Sequence, residues 1–445
     1  MAATAVAPAI VGALRCQKDS YLKSLQTDVV SCTEYVLKSG QDKGKAKPQK
    51  KSTDPGKALD YGTGTDGKSY MIEFADTILF PEGGGQPTDH GSITPVNGEH
   101  GDTIPIKYIQ RHGLRAMHFS PKPLQPGTTV RQDVDFHRRW DHMQQHTGQH
   151  LLSAIMDTME LETLGWGMAL EGEMNYVELS RKPSGDEIRS IQSRCNEVIR
   201  QNVPVTVETP EQPNTDTLPE DYDKEKGVVR FIRIGDLDFN ACCGTHLKQT
   251  SHIALILLHH TQMIRVTNCR LYFSCGDRAI KLATESINGL RAISTSLSSA
   301  NTPDEVVANV QSLSDRHAEA NKRSKKLLGE IARFEGARIK AELGPGKRVF
   351  SYRASDGLDF VNLVWTEIKE ALKEKGGVVV IASGDVKEAG SMMILGEKEL
   401  VEHLAAKAKE VVSTLKGGGK GEKWQGKITE WKKGEVDALR KVVEA

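Results

Sequence analysis

Gln144-Gln145-His146-Thr147-Gly148-Gln149-His150-Leu151-Leu152 is the stretch on which the reading of this chain turns. In a helix, residues four apart share a face, so His146 and His150 aim at one point. Met143, Leu151 and Ala154 fall where such a helix would seat on a core. Further along, Ala241-Cys242-Cys243-Gly244-Thr245-His246 repeats the offset with Cys242 and His246. A lone His-x3-His is as often a pair of ordinary side chains as a ligand pair. The second pair tips the balance toward a shared metal. Three imidazoles and a thiolate suit Zn²⁺, which takes nitrogen and sulfur ligands and favours four-coordination.

Two familiar zinc sites fail on spacing. Classical zinc fingers carry both pairs within one short stretch. The metalloprotease helix His-Glu-x-x-His has the same histidine offset, but Thr147 stands at the Glu position, so the general base of that chemistry is missing.

A third motif, Phe80-Pro81-Glu82-Gly83-Gly84-Gly85-Gln86-Pro87, precedes both. As a bare phosphate loop it is weak, because Lys and Ser/Thr are missing from the expected place. Taken together and in this order, the three motifs closely resemble the editing domain of alanyl-tRNA synthetase and the freestanding alanyl-tRNA editing proteins. The resemblance covers about residues 13–280 well and the C-terminal part more loosely. It implies His146, His150, Cys242 and His246 as zinc ligands; Cys243 stands where the family more usually has Gly. It implies hydrolysis of mischarged tRNA for alanine, removing serine, with glycine as the second candidate. An aminoacyl ester is activated, so a polarised water can suffice; whether zinc activates that water or positions the substrate is open at this level. Gln86 becomes a candidate hydrogen-bonding residue in the wall of the pocket. Thr147, Gln149 and Thr163 are further polar candidates for reading the serine hydroxyl, which a hydrogen-bonding pocket discriminates better than an apolar one. No aminoacylation domain precedes residue 13, so a freestanding editor is expected rather than a synthetase.

The chain has 445 residues, 38% hydrophobic and 27% charged, which predicts a globular protein of several domains. Lys plus Arg equals Asp plus Glu at 59 each, so any RNA contact must come from local basic patches. Seven scattered cysteines are not a disulfide framework and fit a reducing compartment. No apolar run is long enough to span a membrane, and the cytosol is the expected location.

The expected fold class is α+β. Residues 1–137 read as a β-rich, barrel-like domain. Its strands are expected at Leu25–Cys32, Tyr70–Phe74, Ile78–Phe80, Gly91–Thr94, Ile104–Ile109 and Thr128–Val134. Within it, 38–68 reads as a flexible insertion whose Lys43, Lys45, Lys47, Lys50 and Lys51 are a solvated spacer or a loose RNA contact. Residues 138–285 read as the zinc-binding editing domain on an antiparallel sheet, with a helix over Arg138–Met159 and a polar loop over Glu211–Lys226. There Val228–Ile234 is the strand expected to deliver the Cys242 motif, and Ile253–Leu258 and Gln262–Val266 are separate strands. Residues 286–345 form a helical connector. Its helix over 302–343 carries a heptad seam of Val306, Val310, Leu313, His317, Ala320, Ser324, Leu327, Ile331 and Phe334. Residues 346–445 read as a C-terminal α/β domain, with a helix over Glu397–Leu415 and Gly417-Gly418-Gly419-Lys420-Gly421 as a flexible turn. The resemblance associates that domain with oligomerisation and tRNA contact, so a homodimer through it is expected. Two rival functions remain: a zinc-stabilised RNA-binding or scaffold protein without activity, and a hydrolase of another small ester or amide.

Overall fold

The structure is a computed structural model that describes residues 7–36, 62–64, 67–96, 102–210, 227–264, 267–298 and 302–445. The basic segment with Lys43 to Lys51 and the polar stretch Glu211–Lys226 lie outside the described residues. The chain divides into two compact units, Met1–Gly289 and Leu290–Ala445.

After one helical turn, α1 (Arg15–Lys18), alternating sequences build β1 (Ser24–Tyr35), β2 (Ser69–Phe74), β3 (Gly91–Pro95), β4 (Ile104–Ile106), β5 (Ile109–His112), β6 (Arg115–Ser120) and β7 (Thr129–Val134). They pair in the order β4-β3-β7-β1-β2-β6-β5, and β4 returns against β6, so the sheet nearly closes into a barrel. Ile72, Ile93, Ile106, Ile109 and Val130 fill it. Ile78–Phe80 is buried but is not the expected strand. Buried side chains replace a neighbouring strand there: Gln132 Oε1 accepts from the Ile78 N–H, Thr77 Oγ1 from Leu79 and Asp89 Oδ2 from Phe80. The expected strand Ile104–Ile109 is two strands, because β4 pairs with β3 and β5 with β6.

Helix α2 (Phe136–Asp157) starts at Asp135, whose carboxylate accepts the Arg138 backbone N–H. It is followed by β8 (Thr163–Gly167), β9 (Asn175–Leu179), α3 (Gly185–Gln201), β10 (Val205–Glu208), β11 (Phe231–Ile234), β12 (Asp238–Ala241), β13 (Ile256–Met263), β14 (Cys269–Cys275) and α4 (Gly276–Leu297). One antiparallel sheet runs β13-β14-β9-β8 and another β10-β11-β12. Helices α2 and α3 pack on the inner face of the first through Met143, Leu151, Ile155, Ile191, Val177 and Leu271. The Cys242 motif is delivered by β12, the return arm of a hairpin with β11, rather than by β11 itself. Ile253 closes a short 3₁₀ turn, and one continuous strand, β13, bulged between Leu258 and Thr261, replaces the two strands expected there.

In the second unit α5 (Pro303–Glu342) is a single helix. It leads into β15 (Arg348–Arg353), α6 (Gly357–Lys375), β16 (Val378–Ser383), β17 (Gly390–Gly396), α7 (Lys398–Val411), β18 (Leu415–Lys420), β19 (Lys423–Ile428) and α8 (Glu435–Glu444). The sheet order is β15-β16-β17-β19-β18. Strand β16 is buried at every position because Val379 and Ile381 join one core with α6, while Val378 and Val380 join another with α7. The expected helix to Leu415 ends at Val411, and the glycine run is a strand, not a turn. Gly417 pairs with Gly426 and Gly419 with Trp424, so the run lies in the β18–β19 ladder beside the indole. The heptad seam is displaced as well. The buried face of α5 is Val306, Leu328, Ala332, Gly336 and Ile339, whereas Val310, Leu313, Leu327 and Phe334 are exposed. No helix among the described residues is long and apolar enough to cross a membrane.

Candidate metal centre

Helix α2 carries an unusual load of buried polar residues, among them Arg139, His142, Gln145, His146, Thr147, Gln149 and His150. A buried polar group costs stability unless it is hydrogen-bonded, so each of these partners matters. Arg139 pairs with Asp89 and donates to the Ser20 and Ile78 carbonyls. Asp89 in turn holds the Phe80 N–H, so this pair ties the helix to the Phe80–Gln86 loop.

Two turns further on, His146 and His150 face the loop after β12. One ligand atom from each of His146, His150, Cys242 and His246 lies within 4.8 Å of every other. The Nε2 atoms of His146 and His246 are each 3.3 Å from Cys242 Sγ. Gly244 is required at its position, because a Cβ there would lie 2.2 Å from His146 Cε1. Outside the cluster, Gln86 Oε1 sits 2.9 Å from His146 Nδ1, and Asp238 Oδ2 2.8 Å from His150 Nδ1. These acceptors fix which ring nitrogen carries the proton and leave the other pointing inward, the arrangement that ligating histidines use. His246 Nδ1 is buried with no hydrogen-bond partner among the described residues.

The electrostatics fit a cation. Burial pushes the Cys242 thiol up, but His146 and His246 beside it outweigh that and hold it well below its usual range. Burial pushes His150 down, yet its hydrogen bond to Asp238 and the adjacent Cys242 raise it to about 10. Burial is the largest influence on His246 and lowers it to about 3. Cys243 differs: its thiol lies against Gly83 and Gly84, and burial raises it to about 11. Three imidazoles and one readily ionised thiol, buried and mutually close, make a donor set suited to Zn²⁺.

The polar candidates divide into two groups. Gln86 is 2% exposed, and its amide is taken up by Thr245: Nε2 donates to Thr245 Oγ1, and Oε1 accepts the Thr245 N–H. Thr147 Oγ1 accepts from the Leu247 N–H, pinning the loop that bears His246 onto α2. Gln149 and Thr163 meet through a residue the sequence reading passed over. Gln149 Nε2 donates to Ser153 Oγ, and Ser153 Oγ lies 2.9 Å from Thr163 Oγ1. Ser153 is seven positions from His146, hence on the same helix face, and Thr163 belongs to β8. Other groups carried no sequence signal: Asp238, the Trp166 ring 4.8 Å from His146, and Arg230, which donates to the carbonyls of Cys242, Gly244 and Gln17. Asp238 and Arg230 lie on the hairpin that delivers Cys242 and Trp166 on β8, and only the packing of these elements on α2 brings them to the histidines.

Residues 229–272, which include the Cys242 motif, match the family described as "Threonyl and Alanyl tRNA synthetase second additional domain". The chain is 36% identical to "Putative alanyl-tRNA editing protein alaX" of Saccharomyces cerevisiae, over 98% of this chain and 97% of that protein. It is 32% identical to "Alanyl-tRNA editing protein Aarsd1" of Danio rerio, over 96% and 97% of the two chains. A shorter match, 29% identical over 59% of this chain and 67% of the other, is to "Alanyl-tRNA editing protein AlaX-L" of Pyrococcus horikoshii. An α+β scaffold holding a three-histidine, one-cysteine cluster thus has full-length relatives of one kind. The chain belongs to the alanyl-tRNA editing proteins.

Proposed function

We propose that this protein is a trans-editing deacylase that hydrolyses the ester of mischarged tRNA for alanine, seryl-tRNA first and glycyl-tRNA second. The observation that carries the reading is the buried His146, His150, Cys242 and His246 cluster in a chain of the editing family. Zn²⁺ held there would supply a Lewis acid to a water or to the ester carbonyl. Gln86 and Asp238 orient His146 and His150 as ligands. Thr147 and Arg230 hold the ligand-bearing loop in place. The Gln149–Ser153–Thr163 chain is our candidate reader of the serine hydroxyl, because it lies on the histidine face and Thr163 is only half-buried. The proposed setting is the cytosol, with self-association through residues 300–445.

The test is release of amino acid from purified seryl- and alanyl-tRNA for alanine. Selective loss of serine is the expected result. Binding without release would replace this reading with a non-catalytic, zinc-stabilised RNA-binding protein; neither binding nor release would point to another small ester or amide. Thr163→Val should lower serine release roughly ten- to a hundredfold, the value of one lost hydrogen bond with its partner left buried. Unchanged rate and seryl-to-alanyl ratio in that variant and in Ser153→Ala would move the reader elsewhere.

A further inference from the structure

Helices α2 and α3 pack on the inner face of the β13-β14-β9-β8 sheet, and its outer face has a definite composition. Gly167, Tyr176 and Tyr272 stand in one cross-strand row, Tyr176 opposite both Gly167 and Tyr272. His260 of β13 stacks on Tyr272, ring centroids 4.6 Å apart at 21°. Tyr176 and Tyr272 meet edge to face at 6.3 Å. Tyr176 lies across β8 because Gly167 has no side chain; a Cβ there would be 2.6 Å from the ring. All three rings remain accessible, the tyrosines half-buried and His260 exposed.

The next row is Gly165, Glu178, Arg270 and Gln262. Arg270 stands opposite Glu178, yet Glu178 accepts instead from Asn268 Nδ2. Arg270 lays its guanidinium over Tyr176, Cζ 4.0 Å from the ring centroid, and its Nε is buried with no hydrogen-bond partner among the described residues. A sheet face that offers flat rings beside a stacked cation is complementary to nucleotides, each of which has a π face and a phosphate. Paired bases hide their faces, so the ligand must be unpaired. Strand β8 links this face to the metal centre. Trp166 points inward over His146, and its neighbour Gly167 lies outward under Tyr176.

We propose that the outer face of this sheet is a stacking platform for unpaired nucleotides of the RNA substrate, with Tyr176, Tyr272 and His260 taking base faces and Arg270 an adjoining phosphate. The choice of RNA rests on the function proposed above, and the test separates the two. Full-length protein is titrated with a fluorescein-labelled single-stranded oligoadenylate and, separately, with an RNA duplex. Tyr176→Ala and Tyr272→Ala should each weaken oligoadenylate binding roughly five- to a hundredfold, with zinc content unchanged. Tyr176→Phe and Tyr272→Phe should bind like the parent, although the latter loses its hydrogen bond to Gln262. Arg270→Gln should reduce the salt dependence by about one phosphate contact. On seryl-tRNA the alanine variants should raise KM and leave kcat unchanged. Parental affinity in both alanine variants overturns the platform, as does an equal loss on the duplex or a loss in the phenylalanine variants as large as in alanine. A parent that releases no serine but binds oligoadenylate through these tyrosines overturns the deacylase and supports the platform.

Discussion

Helices α2 and α5 both show a clear helical periodicity, and they use it in opposite ways. In α2 nearly every residue from Arg139 to Met156 is buried, polar ones included. In α5, 40 residues long against 22, only Val306, Leu328, Ala332, Gly336 and Ile339 are buried. Buried polar groups must find partners, so the polar residues of α2 could only be kept by a network: Asp89 for Arg139, Gln86 for His146, Asp238 for His150. The exposed apolar residues of α5 carry no such obligation. Scattered surface apolar groups are normal, so the stripe acquires meaning only from a partner. Periodicity therefore predicts a helix in both cases, but it predicts chemistry only where burial makes the side chains interdependent.

The largest effect should come from the metal cluster. His150→Ala should reduce bound zinc from about one equivalent to a small fraction, and serine release with it. Asp238→Asn keeps all four ligands and should weaken zinc binding about 10- to 100-fold. Elemental analysis and chelator competition read both, and unchanged zinc in His150→Ala would remove that residue from the ligand set. Next comes Arg139→Met, which leaves the Asp89 carboxylate buried and uncompensated. A loss of about 3–5 kcal/mol in denaturant unfolding is expected, and a loss under about 1 kcal/mol would show that water reaches the pair.

A smaller, pH-dependent effect follows from buried histidines. Burial lowers His118 from 6.5 to about 4 and holds His142 of α2 well below 6.5. The unfolded chain binds these protons first, so the contribution of these two histidines is constant above about pH 6.5 and falls as pH drops toward 4. The His118 displacement corresponds to roughly 3 kcal/mol. Unfolding curves across that range should become shallower in His118→Gln, with His142 carrying the slope that remains, and an unaltered slope would place the protonation elsewhere. The smallest effect belongs to α5. Val310→Ser with Leu313→Ser should change stability by less than about 0.5 kcal/mol. If a second copy covers the stripe, the same variant should convert a sedimenting dimer to monomer. A monomeric parent would leave α5 a solvated helix.

What was legible in the sequence was whatever local spacing dictates. The i, i+4 offsets of His146 with His150 and of Cys242 with His246 state which side chains can act together, because helix geometry imposes that on any sequence. The strands of the barrel and of β16 could be read from their alternation and β-branched runs, and α5 from its periodicity and the Gly344-Pro345-Gly346 stop. Only the tertiary structure decided the rest. Ile78–Phe80 has the composition of a strand, yet Gln132, Thr77 and Asp89 reach its backbone first. The glycine run 417–419 has the composition of a turn, yet the β19 ladder claims it. Leu328 and Ala332 rather than Leu327 define the buried face of α5, with Ile331 partly buried at its edge, since the rotation of the helix is set by what packs against it. Asp238, Trp166 and Arg270 took their roles from neighbours on other elements, and Ser153 from Gln149 one turn before it and Thr163 on β8. A side chain's partner across the fold leaves no trace in the residues beside it.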